Sequence, residues 1–89
     1  MLVFVLLNVH QNKLKDVVKK VKNLDNVNRV HLVYGEYDVI AELDAKKPDV
    51  SAKMLKNIRE TEGVNSMKTY VVSDQLNDEF KPRLLQEAW

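Results

Sequence analysis

The first apolar segment, LVFVLLNV at residues 2–9, constrains the fold more than any other part of the chain. It is built of β-branched, leucine and aromatic residues, without polar alternation. A strand of this kind needs cover on both faces. The run is far shorter than the ~20 residues that a helix needs to cross a bilayer. It also lacks a basic leader and a cleavage signal, so we interpret it as a strand of the mature protein and predict no membrane association.

Two amphipathic patterns predict helices. The first has apolar residues at helical spacing, namely Leu14, Val17, Val18, Val21 and Leu24. We expect Asn12 to cap this helix. Pro48, a residue favoured at the first helical position, begins the second helix, and Gly63 is expected to stop it.

Two alternating runs between the helices predict a β-hairpin. Residues 29–34 and 37–44 alternate apolar and polar side chains, and only Gly35 and Glu36 separate them. A Gly-X pair at this place is typical of a two-residue type II′ turn, in which Gly35 takes the position that requires φ > 0. A last strand is predicted over residues 64–73.

The predicted order β-α-β-β-α-β indicates an α+β protein, a ferredoxin-like sandwich with two helices on one face of a four-stranded antiparallel sheet. The predicted domain spans residues 1–74. Residues 75–89 are predicted to form a helical C-terminal tail that Pro82 divides, with these apolar residues: Leu76, Phe80, Leu84, Leu85 and Trp89.

The other face of the predicted sheet has no helix to cover it. The first strand is apolar on both sides, and we expect Ile40 and Val71 to add to the uncovered face. A large apolar patch rarely stays exposed. We therefore predict that two copies pack sheet to sheet or edge to edge, in an isologous dimer.

Charge and cysteine content exclude several classes of function. Fourteen basic and thirteen acidic residues leave a net charge of +1, without the basic excess typical of a nucleic-acid binder. The absence of cysteine excludes disulfides and thiolate metal sites and favours an intracellular, cytoplasmic protein. His10 and His31 lack the spacing of a zinc site, and no nucleophile elbow surrounds a serine, so we predict no metal, cofactor or catalytic residue.

The segment YGEYDVIAEL at residues 34–43 places a glycine and acids inside an otherwise apolar run. Two interpretations stay open for it. Gly35 and Asp38 serve the turn itself, through φ > 0 and a backbone hydrogen bond, or they also contact a ligand. Thr69 is likewise either an ordinary strand residue or a ligand contact, and Glu36 at the tip is typical of a solvated side chain.

Residues 30–43, VHLVYGEYDVIAEL, and residues 63–72, GVNSMKTYVV, resemble the effector-binding domain of the Lrp/AsnC family of regulators, also called the RAM domain. The most specific element is Gly35-Glu36-Tyr37-Asp38 between two apolar strands. The chain begins at the first strand of that domain, so it resembles the stand-alone form, without a helix-turn-helix and without direct DNA binding.

This resemblance implies a dimer that assembles further, with an amino-acid effector bound between subunits, and co-assembly with a full-length Lrp/AsnC-type regulator. The implied ligand-binding residues are Gly35, Glu36, Tyr37, Asp38 and Thr69. Where family members often have a second threonine two residues earlier, this chain has Met67.

Two alternatives to this non-catalytic sensing module stay open. A small dimeric α+β barrel enzyme shares the topology, and His10, His31 and Trp89 are the residues with which it would line a pocket. A purely structural oligomer would bind no metabolite at all.

Overall fold

The structure is a computed structural model that describes residues 2–45 and 48–72. Its elements are β1 (Leu2–Val9), a 3-10 turn (Gln11–Lys13), α1 (Leu14–Lys22), β2 (Val27–Leu32), β3 (Val39–Asp44), α2 (Pro48–Arg59) and β4 (Val64–Val71). The bounds predicted for the first strand and the start of the second helix at Pro48 are confirmed. The predicted tail helix over residues 75–89 lies outside the described residues and stays a prediction.

The four strands form one antiparallel sheet in the order β2-β3-β1-β4. The predicted ferredoxin-like fold is therefore confirmed. β1 lies in the interior of the sheet, paired with β3 along one side and with β4 along the other. β2 and β4 are the outer strands.

The core lies between one face of the sheet and the two helices. Alternate residues of β1 point into it, which are Val3, Val5, Leu7 and Val9. Val39, Ala41 and Leu43 of β3 join them, with Val17 and Val21 of α1 and Met54 and Ile58 of α2. This alternation explains why β1 is apolar on both faces up to Leu7: its odd-numbered residues pack under the helices, and its even-numbered ones form the opposite surface.

The opposite surface of the sheet, called the open face below, carries the half-buried side chains of Leu2, Phe4, Leu6 and Ile40. Within residues 2–45 and 48–72, both helices pack on the other side. Val71 was expected on this face, and that prediction is wrong: Val71 pairs with Val3 and so points to the helix side, where it is exposed.

The start of α1 differs from the prediction. Asn12 does not cap the helix; it lies inside the 3-10 turn, and neither this turn nor α1 has a side-chain cap. The backbone supplies the bond instead, because the N–H of Lys13 donates to the carbonyl of His10 at 2.8 Å. A tight turn of this kind satisfies one of the donors that a cap would otherwise bind.

Gly63 does not end α2, which stops earlier, at Arg59. The hydroxyl of Thr61 donates to the carbonyl of Asn57 at 2.7 Å just past this end. Gly63 instead fixes the link into β4: its φ is 101°, and its carbonyl accepts the N–H of His10 at 2.8 Å. A Cβ on Gly63 would collide with the Cβ of Lys13. Glycine is thus required here by both conformation and space.

The link between β2 and β3 is longer than the predicted two-residue turn. It spans residues 33–38, and the N–H of Val33 closes it by donating to the carbonyl of Asp38 at 3.0 Å. Asp38 then continues the pairing of β3 with β1. Its own N–H donates to the carbonyl of Leu7 at 2.9 Å, and its carboxylate Oδ2 accepts the N–H of Val9 at 2.8 Å.

This carboxylate bond replaces one rung of the sheet. The regular pairs of β1 with β3 end at Leu7 and Val39, so the N–H of Val9 lies beyond the last backbone acceptor of β3. Asp38 supplies an acceptor from its side chain, and a hydrogen bond to an ionised group is stronger than a neutral one. Asp38 therefore does bond a backbone group, but that group belongs to β1, whereas the structural interpretation had expected one in the turn itself.

We predict that Gly63→Ala lowers the free energy of unfolding substantially. The positive φ costs a residue with a Cβ about 1–2 kcal/mol, and relieving the collision with Lys13 costs a further ~1–3 kcal/mol. Gly35→Ala is the matched control, because a Cβ at Gly35 would meet no atom within 4 Å and only the backbone cost remains. Urea unfolding at one fixed protein concentration measures both. Equal losses in the two variants would contradict the close-contact argument.

We predict that Asp38→Ala destabilises the fold by about 1–3 kcal/mol, because the N–H of Val9 loses its acceptor in a buried residue. Asp38→Asn keeps an oxygen at the same place and should lose clearly less. The same urea titration compares the two variants. Wild-type stability in Asp38→Ala would show that the bond contributes nothing to the fold.

Candidate functional site

The loop at residues 33–38 lies at one end of the sheet, beside the end of β1. Gly35 and Glu36 are exposed, whereas Tyr37 and Asp38 are half-buried. The φ of Gly35 is 156°, a value that residues with a Cβ rarely adopt. The sequence places a glycine here because the chain must reverse and then return to the β1 ladder within a few residues.

Asp38 is held in place by two hydrogen bonds to β1. Its Oδ2 atom binds the backbone of Val9, and its N–H binds Leu7. The side chain therefore points inward, along the end of β1. What Asp38 does directly is to hold the loop in place, so that its neighbours Glu36 and Tyr37 are presented at the surface.

Tyr37 contacts a residue that the sequence patterns did not single out, Lys68 of β4. A hydrogen bond with Tyr37 raises the pKa of the Lys68 ammonium above its ordinary value of 10.5, electrostatic interactions with Tyr37, Tyr70 and Glu36 raise this pKa further, and desolvation opposes them. Lys68 therefore stays protonated at neutral pH. It lies on the open face, because it pairs with Leu6.

Lys68 and Tyr70 thus lie on the open face, and the loop residues Tyr37 and Glu36 are near enough to act on Lys68, which brings together an ammonium, two phenols and a carboxylate. The sequence signal that was missed is the alternation of Lys68 and Tyr70 along β4. Assigning it required the register with β1, which no local pattern reveals. A cation beside a carboxylate can bind a small ligand that carries both charges.

Thr69 does not point toward this cluster. It pairs with Val5, whose side chain is in the core, so Thr69 is exposed on the helix side of the sheet. Lys68 and Thr69, adjacent in sequence, therefore lie on opposite faces. The predicted ligand-binding residues from Gly35 to Asp38 are contiguous, and within one subunit Lys68, not Thr69, is the β4 residue that meets them.

The two histidines considered for an enzyme lie in different places. His10 lines a shallow cavity of about 290 Å³ with Asn12, Glu62 and Asn65, beside an exposed ion pair of 3.4 Å between Lys13 and Glu62. His31 lies instead on β2, paired with Ile40 on the open face. Trp89 lies outside the described residues.

Residues 2–45 and 48–72 contain no group of three histidine, aspartate or glutamate side chains placed to hold a metal ion. In the same part of the chain, no helix has the length and apolar character to span a membrane.

Comparison with known proteins places the chain among regulators. The sequence profile described as the Lrp/AsnC ligand binding domain matches residues 2–82. None of the curated proteins compared with the chain matches it.

Several solved structures have the same fold. TTHA0845 from Thermus thermophilus superimposes with a TM-score of 0.77 at 25% identity, covering 81% of this chain and 91% of that one. FFRP-DM1 has a TM-score of 0.74 at 23% identity, covering 81% and 97%. E. coli AsnC has a TM-score of 0.73 at 19% identity, covering 80% of this chain and 49% of AsnC.

The family match covers nearly the whole chain and agrees with the observed fold. Domains of this family are regulatory and generally non-enzymatic, which indicates that this chain is a regulatory sensing module. The chain is a member of the Lrp/AsnC ligand-binding domain family, as the Gly35–Asp38 segment predicted.

Proposed function

We propose that the protein is a non-catalytic module that senses a small amino-acid effector and assembles with copies of itself in the regulation of transcription. Family membership supports the regulatory role. The observation that most directly supports an amino-acid ligand is the Lys68 ammonium, bonded by Tyr37 and lying within the electrostatic reach of Glu36. This brings both signs of charge onto one accessible surface.

An amino acid is a zwitterion, so its site must offer donors to the carboxylate and acceptors to the ammonium. Lys68 is a protonated donor, and Glu36 is an exposed acceptor. Tyr37 supplies an aromatic wall beside both. The backbone N–H groups of Gly35 and Glu36 are further donors in this proposal.

Asp38 and Thr69 take different roles in the proposed site. Asp38 positions the loop through its bond to Val9. Thr69 points to the opposite face from Lys68, so it reaches the ligand only from a neighbouring subunit. A complete site therefore requires assembly, which agrees with binding between subunits.

Self-assembly is supported by the open face. Phe4, Leu6 and Ile40 form a contiguous apolar surface on adjacent strands, and patches of this kind mark interaction sites. A second copy brings the same surface, so a two-fold arrangement buries the patch on both subunits.

Co-assembly with a longer regulator follows from the same surface. E. coli AsnC shares this fold over 49% of its own length. A regulator that carries the same domain presents an equivalent sheet face, so we propose that a subunit of this protein can replace one subunit of such an assembly. The protein then changes the regulator's response through the effector domain that it contributes.

We predict that one or more of the twenty amino acids stabilises the protein in a thermal unfolding screen. Ligand binding to the native state raises the free energy of unfolding by about 2.7 kcal/mol when the ligand concentration is near 100 times Kd. Lys68→Gln should abolish the stabilisation, because the ligand carboxylate loses its charged donor. Lys53→Gln, on the exposed surface of α2, is the matched control and should respond like the wild type.

Two results would contradict this prediction. Silence of the wild type across the whole panel would rule out amino-acid sensing. An unchanged response in Lys68→Gln would show that the protein senses an amino acid but binds it somewhere other than at Lys68.

We predict that Leu6→Lys converts the assembly into monomers, because it buries a charge in the centre of the apolar patch. Light scattering coupled to size exclusion measures the mass at micromolar concentration, and circular dichroism verifies that the variant is folded. Leu32→Lys places the same charge on the helix side and should leave the mass unchanged. A monomeric wild type would exclude the proposed interface.

A further inference from the structure

A second apolar surface lies on the helix side of the sheet, opposite the face that carries Lys68. α1 and β2 enclose a groove of about 540 Å³, mainly apolar in its lining. Its floor is formed by Leu14 and Val18 of α1, both half-buried, and by Leu32 of β2, which is 61% exposed. Leu32 points to this side because it pairs with Val39, whose side chain is in the core.

The groove lies along the flank of α1 that faces β2, the outer strand with which this helix is in contact. Val17 and Val21 are fully buried over the centre of the sheet, so the flank of the helix beside β2 is left partly open. Within the described ranges, no other element fills this flank. A leucine exposed to this extent, next to two further apolar side chains, is a docking surface of the kind that a hydrophobic segment covers.

The rim of the groove is cationic. Lys15, Lys19 and Lys22 line it, against the single carboxylate of Asp16. An occupant with matching chemistry is therefore an apolar segment that carries more acids than bases. The balance of charge steers such a segment to the groove, while the leucines and valine supply most of the affinity.

Residues 73–89 of the same chain have this composition. They contain five large apolar residues, which are Leu76, Phe80, Leu84, Leu85 and Trp89. Their charged residues are the acids Asp74, Asp78, Glu79 and Glu87, against the bases Lys81 and Arg83. We propose that the segment 73–89 docks in the α1–β2 groove of its own subunit, with its apolar side chains against Leu14, Val18 and Leu32.

The tail is long enough to reach this groove. The N–H of Val72 bonds the carbonyl of Leu2, so the tail leaves the sheet at the end where β1 begins. The groove begins near this end with Lys22 and runs along α1 to Leu32, which is level with Leu7 and so about 17 Å further along the strands. The outer strands are three spacings apart, about 14 Å, whereas the seventeen residues from 73 to 89 span up to roughly 56 Å when extended.

Trp89 is the only tryptophan of the chain, so its fluorescence reports directly on the tail. In the full-length protein, docking protects Trp89 from quenching by acrylamide and shifts its emission to shorter wavelength. Leu32→Thr should lower the docking equilibrium about tenfold, because much of a buried leucine's transfer free energy is lost. Threonine keeps the strand preference of the site, so the fold is retained.

Val71→Thr is the matched control. Val71 is 55% exposed, on the helix side of the opposite outer strand, and its substitution should leave the protection of Trp89 unchanged. A second pair tests the charge: Lys19→Glu reduces the protection, whereas Lys20→Glu, which lines a separate cavity with Thr61 and Glu62, does not. Added salt should weaken docking in the wild type.

Three outcomes would overturn the proposal. Equal accessibility of Trp89 in the wild type and in Leu32→Thr would exclude docking in the groove. Protection that falls on dilution of the protein would assign the bound tail to a second copy. Equal effects of Val71→Thr and Leu32→Thr would place the tail along β4 instead.

Discussion

The domain depends on one central strand that is apolar on both faces. β1 is paired along both of its edges, so its position is fixed by two ladders of hydrogen bonds. Its side chains at Val3, Val5 and Leu7 then direct both helices to one side of the sheet. The same strand places Phe4 and Leu6 on the other side, where no helix among the described residues covers them. One sequence feature thus determines the core and the surface by which the proposed assembly forms.

The loop after β2 joins this strand to the candidate ligand site. Asp38 faces inward and bonds Val9 at the end of β1, while Glu36 and Tyr37 face outward. An acid that served the turn alone would not need a half-buried position. Here the carboxylate accepts a hydrogen bond from the sheet. The end of β1 therefore determines the positions of Glu36 and Tyr37 at the surface.

The element order was predictable because its signals are local. An unbroken apolar run, a proline at the start of α2 and the alternation of β3 are each visible within ten residues. The length of the β2–β3 link was not predictable in this way, because the partner of Asp38 is the N–H of Val9, 29 residues away. The prediction of a two-residue turn accounted for Gly35 alone. The bond between Asp38 and Val9 determines where the pairing of β3 with β1 begins.

The candidate site shows the same limit more sharply. A family resemblance directed attention to Thr69, yet the side chain that meets Tyr37 belongs to its neighbour, Lys68. Which of the two faces the loop is set by their partners in β1, Val5 and Leu6, more than sixty residues earlier. A shift of register by one residue would exchange the two faces, so sequence patterns along β4 identify candidates without choosing between them.

The position of Lys68 also connects the two parts of the proposed function. Lys68 pairs with Leu6, so the ammonium proposed to bind the ligand lies next to the centre of the apolar patch on the open face. If a second subunit covers that face, it changes the surroundings of Lys68, and a ligand on Lys68 changes the face that the second subunit meets. Binding and assembly must then alter each other's free energy by the same amount, since linkage between two equilibria is reciprocal. A sensor of this design needs no moving domain, because the ligand acts directly at the edge of the surface that joins the subunits.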